Sequence, residues 1–147
     1  METNQILSIN TIETVFKIKM QPKSLHENYE KLADLCHRQE SIFPQILAME
    51  NSASENSLFI TAPEEKLALI KKIPANKDFE ISKELSAICL TCTGVPSFET
   101  QIQISKILEG LSINPLKIQM SAMSVILYVE KNQMVTTLKK LHSLVTL

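Results

Sequence analysis

The chain has 147 residues, with 15 lysine and arginine residues against 16 aspartate and glutamate residues, and a formal net charge of −1 at pH 7. This near balance, with the basic residues dispersed, argues against nucleic acid as a partner. No apolar run reaches membrane-spanning length, and the N-terminal Met-Glu-Thr-Asn lacks the basic start of a signal peptide. We therefore expect a cytoplasmic protein with no membrane partner, and its three cysteines fit a reducing compartment.

The first elements in chain order are a strand and an amphipathic helix. Residues 16 to 20 alternate between apolar side chains and lysines, which is the period of a half-buried strand. Apolar side chains then recur at steps of four, three and four between residues 25 and 36, so they share one face of a helix. Ser24 and Glu27 have the spacing of a capping box at the start of this helix.

Two strands and a second helix complete this first group. The apolar runs 46–49 and 58–61 flank a polar turn at residues 51–57, which predicts two paired strands. Pro63 begins the next helix, because the first helical N–H has no partner to lose there. Residues 12–73 thus read as a strand, a helix, two strands and a helix.

The same order repeats in residues 84–145. Leu85–Cys92 is an almost unbroken apolar strand, which predicts burial on both of its faces. Pro96 and Ser97 turn the chain into a helix that Gly110 closes. Two strands at 116–120 and 123–129 follow, the second with Met123 on its core side, and a helix closes the repeat. The predicted apolar face of the first of these helices is Phe98, Ile102, Ile104, Ile107, Leu108 and Leu111, and that of the second is Met134, Leu138, Leu141 and Val145. Elements in this order predict an α+β, ferredoxin-like fold in which helices cover one face of an antiparallel sheet.

The sequence gives little evidence for a catalytic site or a metal site. Cys89 and Cys92 have C-x-x-C spacing, but an offset of three on a strand sends the two side chains to opposite faces, so we expect core packing. His26, His37 and His142 lack the spacing of metal ligands. The chain has only two glycines, too few for a glycine-rich phosphate loop. We expect no catalytic residue, no metal and no cofactor.

The second repeat carries motifs of a known family. These are Ile107-Leu108-Glu109-Gly110-Leu111-Ser112-Ile113-Asn114, the stretch Ile118–Glu130, and Leu138-Lys139-Lys140-Leu141-His142. Residues 77–147 resemble the second ACT domain of bacterial aspartokinases, and residues 12–73 resemble the first. The resemblance implies two ferredoxin-like βαββαβ ACT units with these bounds. It also implies that residues 5–10 add a strand to the second unit.

The resemblance implies a non-catalytic regulatory module. Such a module forms a homodimer, senses lysine or threonine, and acts on an aspartokinase catalytic subunit. In that family the kinase domain precedes the regulatory region and nothing precedes it here, so we expect no phosphorylation of aspartate. One alternative is a ligand-free ACT module that only assembles subunits. Another is a small ferredoxin-like enzyme, which the absence of an acid–base constellation disfavours.

The same resemblance implies where an effector binds. In that family a small amino acid lies between ACT units, held by the loop after the first strand and by polar groups around the second strand. A zwitterion needs N–H donors for its carboxylate and oxygen acceptors for its ammonium. Carried onto this sequence, these positions are Met20, Gln21, Pro22, Lys23, Ser24, Glu50, Asn51, Gly94, Val95 and Ser121. The family's Asp-Lys-Pro-Gly loop keeps only its proline here, which leaves the ligand-free alternative open. If the site is kept, Glu50 should favour a cationic amino acid.

Overall fold

The chain folds into two compact units in a computed structural model, which describes residues 4–21, 24–39, 41–73 and 79–145. The central unit is Thr14–Glu84, and the terminal unit combines the N-terminal residues up to Glu13 with the stretch from Leu85 onward. Strand β1 (Ile6–Met20) contributes its first half to the terminal unit and its second half to the central unit.

The central unit has the order βαββαβ. After β1 come α1 (Leu25–Ala33), β2 (Gln45–Asn51), β3 (Asn56–Thr61), α2 (Glu64–Ile70) and β4 (Phe79–Ile81). The sheet order is β2-β3-β1-β4, and every pair is antiparallel. A π-helical turn, Asp34–Gln39, continues α1. The buried core is Phe16, Ile18, Met20, Leu32, Cys36, Ile42, Leu58, Ile60, Ile70, Ile73 and Phe79.

The terminal unit has the same architecture. It contains β5 (Leu85–Cys92), α3 (Phe98–Gly110), β6 (Lys117–Ser121), β7 (Ser124–Glu130) and α4 (Met134–Leu141), with the first half of β1 as its remaining strand. The strand order is β1-β5-β7-β6. Its buried core is Ile6, Ile88, Leu90, Cys92, Ile104, Leu108, Ile113, Val125, Leu127, Val129 and Leu141. The predicted α+β, ferredoxin-like fold class is confirmed.

The division into units differs from the predicted bounds of 12–73 and 77–147. Residues 79–84 belong to the central unit, because β4 pairs with β1 through Ile18–Ile81 and Met20–Phe79. Phe79 is buried in the central core. A strand of three residues is too short to show a period in the sequence, so β4 was not predicted.

The first helix of the central unit, α1, and the first helix of the terminal unit, α3, begin differently. Ser24 Oγ lies 2.6 Å from His26 Nδ1, and no side chain caps α1, so the predicted capping box is wrong. Ser97 Oγ, in contrast, accepts a hydrogen bond from the Thr100 N–H at 3.3 Å at the start of α3. A short local hydrogen bond to histidine competes with the cap at Ser24.

This difference predicts unequal effects of two matched substitutions. Ser97→Ala should lower the free energy of unfolding by about 0.5 to 2 kcal/mol, the usual cost of losing a side-chain cap. Ser24→Ala should cost less, because the Ser24 hydroxyl satisfies no backbone donor of α1. Urea unfolding followed by circular dichroism measures both. Equal losses would contradict the assigned caps.

Some predicted apolar faces are wrong. The buried stripe of α3 is Thr100, Ile104 and Leu108, whereas Phe98 is 85% exposed and Ile102 is 45% exposed. The stripe passes through Thr100 because its hydroxyl has a partner, the side-chain oxygen of Asn4, at 3.3 Å. A threonine with a hydrogen-bond partner can be buried as readily as an apolar residue.

Three other positions also differ from the predictions. Met123 lies in the turn between β6 and β7 with φ of 72° and is 52% exposed, so it is not on the core side of a strand. The left-handed residue after α3 is Ser112, with φ of 55°, and Gly110 is the last helical residue. Val145 bridges to Ile6 instead of continuing the helical stripe of α4. In β5 the burial of both faces is confirmed, with only Cys89 and Thr91 half-buried.

Candidate functional site

Three strand ends of the central unit meet at one end of its sheet. Asn56, the first residue of β3, is in register with Met20 at the end of β1 and with Asn51 at the end of β2. Neighbouring strands lie about 4.8 Å apart, so Met20 and Asn51 are within about 10 Å of each other. Gln21 and Ser24 lie in the connection from β1 to α1. The loop and the end of β2 are therefore close together, as the hypothesis of an effector site requires. Pro22 and Lys23 lie outside the described residues.

The two predicted acceptors on β2 point to opposite faces of the sheet. Asn51 is in register with Asn56, which alternation places on the same face as Leu58 in the central core. Glu50 is in register with Ser57 and points to the other face. Asn51 thus shares its face with α1, whereas Glu50 lies on the opposite face of the sheet.

Two buried asparagines lie at this end of the sheet on the side of α1. Asn28, 1% exposed, donates from Nδ2 to the backbone oxygen of Gln21 at 2.9 Å and so holds the loop against the helix. Asn56 is 2% exposed, and its Oδ1 has no hydrogen-bond partner among the described residues. Neither was predicted as a site residue. Their burial depends on the strand register, and the only sequence signal is an amide side chain beside apolar positions.

An apolar cavity of about 350 Å³ lies on the same face of the central sheet, and neither asparagine is among its lining residues. It lies between α1 with its π-helical extension and the strands β2 and β3. Its lining residues are Tyr29, Leu32, Ala33, Cys36, His37, Pro44, Ile46, Met49, Leu58 and Ile60. Met49 and Leu58 are two residues away from Asn51 and Asn56 on the same face. An amino acid held at the asparagines could therefore extend an aliphatic chain toward this cavity.

The terminal unit has a topologically equivalent place. Ser124 of β7 is in register with Thr91 of β5 and with Ser121 of β6, and Gly94 and Val95 follow β5. The structure thus brings the predicted residues of this unit to one end of its sheet. Ser121 Oγ and Ser124 Oγ are hydrogen bonded at 2.5 Å.

Asn4 closes the loop after β5 in the terminal unit. Its Oδ1 accepts hydrogen bonds from the Ser97 N–H at 2.5 Å and from Thr100 Oγ1 at 3.3 Å. Gly94 packs against Asn4, since a Cβ at that position would lie 3.5 Å from Asn4 Nδ2. Two donors at the start of α3, the Ser97 N–H and the Thr100 N–H, are therefore satisfied from within the chain.

A cluster of charges lies on the other face of the central sheet. Glu55 pairs with Lys17 at 3.4 Å and with Lys19 at 3.3 Å. The hydroxyl of Ser57 donates to Glu55 at 2.8 Å, and this hydrogen bond is the largest cause that lowers the pKa of the Glu55 carboxyl, with the two lysines adding to it. A carboxylate held in its ionised form in this way is poorly suited to act as a general acid or base at neutral pH.

The thiols of the chain are not activated. Burial raises the pKa of Cys36, Cys89 and Cys92, so all three stay protonated at neutral pH, and thiols are poor nucleophiles in that form. Cys89 is half-buried and Cys92 is fully buried, as expected for core packing. In the described part of the chain no group of three or more histidine, cysteine, aspartate or glutamate residues could hold a metal ion. Among the described helices none is long and apolar enough to cross a membrane.

Comparison with known proteins shows which solved structures share this fold. No family model matches the sequence, and no curated protein matches it. Aspartate kinase from Clostridium acetobutylicum is similar in structure, with a TM-score of 0.70 and 17% identity over 99% of this chain. The ligand-free regulatory subunit of aspartate kinase from Thermus thermophilus matches 95% of this chain with a TM-score of 0.64 and 10% identity. Aspartokinase III from E. coli, in complex with lysine and aspartate, matches 97% with a TM-score of 0.59 and 16% identity.

The fold is that of aspartokinase regulatory regions. This chain spans 36% of the Clostridium enzyme and 34% of the E. coli enzyme, but 97% of the Thermus regulatory subunit. The chain thus matches nearly the whole of a regulatory subunit and about a third of each of the two enzymes. The predicted resemblance to an aspartokinase regulatory region is thus confirmed at the level of fold.

Proposed function

We propose that this chain is a non-catalytic, cytoplasmic regulatory module of the aspartokinase type. It binds a small amino acid and passes the signal to a kinase catalytic subunit. The observation that carries this proposal is the meeting of the β1–α1 loop with the ends of β2 and β3 in the central unit. The E. coli enzyme with this fold is in complex with lysine and aspartate, which supports an amino-acid ligand.

The central unit supplies both kinds of group that an amino acid needs. Backbone N–H groups at Gln21, Ser24 and the uncapped start of α1 suit a carboxylate. The side-chain oxygen of Asn51 suits an ammonium, and the charge of Glu50 favours lysine over a neutral amino acid such as threonine. In the terminal unit the Ser97 N–H, which follows the Gly94–Val95 loop, donates to Asn4, and Ser121 is hydrogen bonded to Ser124, so we assign the ligand to the central unit.

Calorimetric titration with the twenty amino acids tests the site. We expect lysine to bind, and Asn51→Ala to weaken it by about 10- to 100-fold, the range for one hydrogen bond to a charged group. Glu50→Gln should weaken lysine more than threonine, because only lysine carries a second positive charge. Glu65→Gln, an exposed carboxylate in the first turn of α2, is the matched control and should change neither affinity.

The second candidate is an ACT module without a ligand. The departures of the β1–α1 loop from the family pattern favour it. No heat with any amino acid at millimolar concentration would establish this candidate and reject the amino-acid site.

We also propose that the chain forms a homodimer. β2 and β6 are edge strands of their units and carry exposed apolar side chains, including Ile46 (55%) and Met49 (61%) on β2 and Ile118 (40%) and Met120 (56%) on β6. Exposed apolar edges are common sites of association. Light scattering should give twice the monomer mass. A monomer at high micromolar concentration would contradict the proposal.

A further inference from the structure

The side-chain oxygen of Asn56 is buried without a described partner. The residue is 2% exposed, and Oδ1 accepts no hydrogen bond within the described part of the chain. Buried polar atoms are nearly always paired, so an unpaired acceptor needs a reason, and a missing ligand is one such reason. The resemblance to the aspartokinase family assigns no role to Asn56.

Asn56 lies at the end of the sheet where the β1–α1 loop and the start of α1 are found. Asn56 lies between Met20 and Asn51 in the strand register, on the face that packs against α1. On that side α1 begins without a side-chain cap, and Asn28 holds the backbone of Gln21. One acceptor and a set of backbone donors therefore lie at the same end of the same face, which is the arrangement that a zwitterion requires.

We propose that Asn56 is a ligand-binding residue, whose Oδ1 accepts a hydrogen bond from the ammonium group of the bound amino acid. This inference rests on the proposed function of the central unit and adds a specific residue to its site. Asn51 and Asn56 then form a pair of amide acceptors on neighbouring strands.

The corresponding end of the terminal sheet differs from that of the central unit. Ser124 is in register with Thr91 and Ser121, but it alternates with the core residues Val125 and Leu127 and so lies on the face away from α3, where its hydroxyl is paired with Ser121 at 2.5 Å. At the start of α3, Ser97 caps the helix, and the Ser97 N–H donates to Asn4. The Ser97 N–H thus donates to the Asn4 oxygen, although a ligand carboxylate would need this donor. We therefore expect one amino acid per chain, bound in the central unit.

One other buried polar atom has no partner among the described residues, and it serves as a control. Gln101 Nε2 lies in the first turn of α3 in the terminal unit. Its side chain is only half-buried, and the unpaired atom is a donor, so it cannot accept a hydrogen bond from an ammonium.

The decisive variant is Asn56→Leu, which removes the acceptor at nearly constant volume. The melting temperature of the ligand-free protein should stay the same or rise, because an unpaired buried polar group is lost. The affinity for the amino acid that the wild type binds should fall by about 10- to 100-fold. Gln101→Leu should leave that affinity unchanged. Calorimetry gives both affinities and the stoichiometry, and thermal denaturation gives the melting temperatures.

The outcomes separate this inference from the proposed function. A wild type that binds no amino acid rejects the proposed function itself. A wild type that binds, together with an Asn56→Leu variant that binds within twofold of it, overturns the role of Asn56 and leaves the proposed function standing. A lower melting temperature with unchanged affinity would also overturn it, since it would assign Asn56 a structural role. If Asn56→Leu does not fold, Asn56→Asp decides: it keeps an acceptor, so binding should persist, and loss of binding in the folded variant overturns the inference.

Discussion

Replacing Phe16 by alanine should lower the free energy of unfolding by about 3 to 5 kcal/mol, the usual cost of emptying a buried aromatic site. Phe16 is 1% exposed, lies on β1 in register with Ile60, and packs among the core side chains of the central unit. Urea unfolding followed by circular dichroism measures the loss. The cost combines lost apolar burial with the cavity that the surrounding side chains cannot close.

Phe98→Ala is the control for this substitution. The same side chain is removed there from a position that is 85% exposed, so the expected change is within about 0.5 kcal/mol. A loss below about 1 kcal/mol for Phe16→Ala would mean that β1 does not bury this residue, and the register with β3 would be wrong.

Leu127→Ala should have the second largest effect, a loss of about 2 to 5 kcal/mol. Leu127 is fully buried at the middle of β7 in the core of the terminal unit. Its neighbour in register on β6 is Ile118, an aliphatic residue of equal size that is 40% exposed. Ile118→Ala is therefore a matched control, and we expect a smaller loss, because a half-exposed site leaves no closed cavity.

Limited proteolysis shows which unit each variant loosens. Phe16→Ala should expose cleavage sites within residues 14–84 first, and Leu127→Ala should expose sites within residues 85–145 first, because local opening follows the unit whose core is weakened. Cleavage of both units at the same rate in both variants would mean that the two units unfold together as one cooperative body.

Elements with a long, regular period were predictable from the sequence. β5 combines eight residues with few polar interruptions, and α1 carries its apolar residues at regular steps. Elements that depend on a distant partner were not predictable. The three residues of β4 form a strand only because they pair with β1, some sixty residues earlier in the chain.

The features of the candidate site also divide into those that were predictable from the sequence and those that were not. The β1–α1 loop follows from chain order, and the Glu50–Asn51 pair was placed by the resemblance, which marks the end of the second strand. That Glu50 and Asn51 point to opposite faces follows from the register with β3. The burial of Asn28 and Asn56 follows from how that sheet end packs against α1.

The sequence by itself determined the class of fold, because helix and strand periods act over short distances along the chain. Only the tertiary structure decided which polar groups are satisfied. In the terminal unit Asn4 reaches Ser97, more than ninety residues away, and completes the hydrogen bonds at the start of α3. In the central unit the side-chain oxygen of Asn56 is buried and has no partner among the described residues. Hydrogen bonds between distant residues depend on which strands become neighbours, and local sequence patterns do not encode that choice.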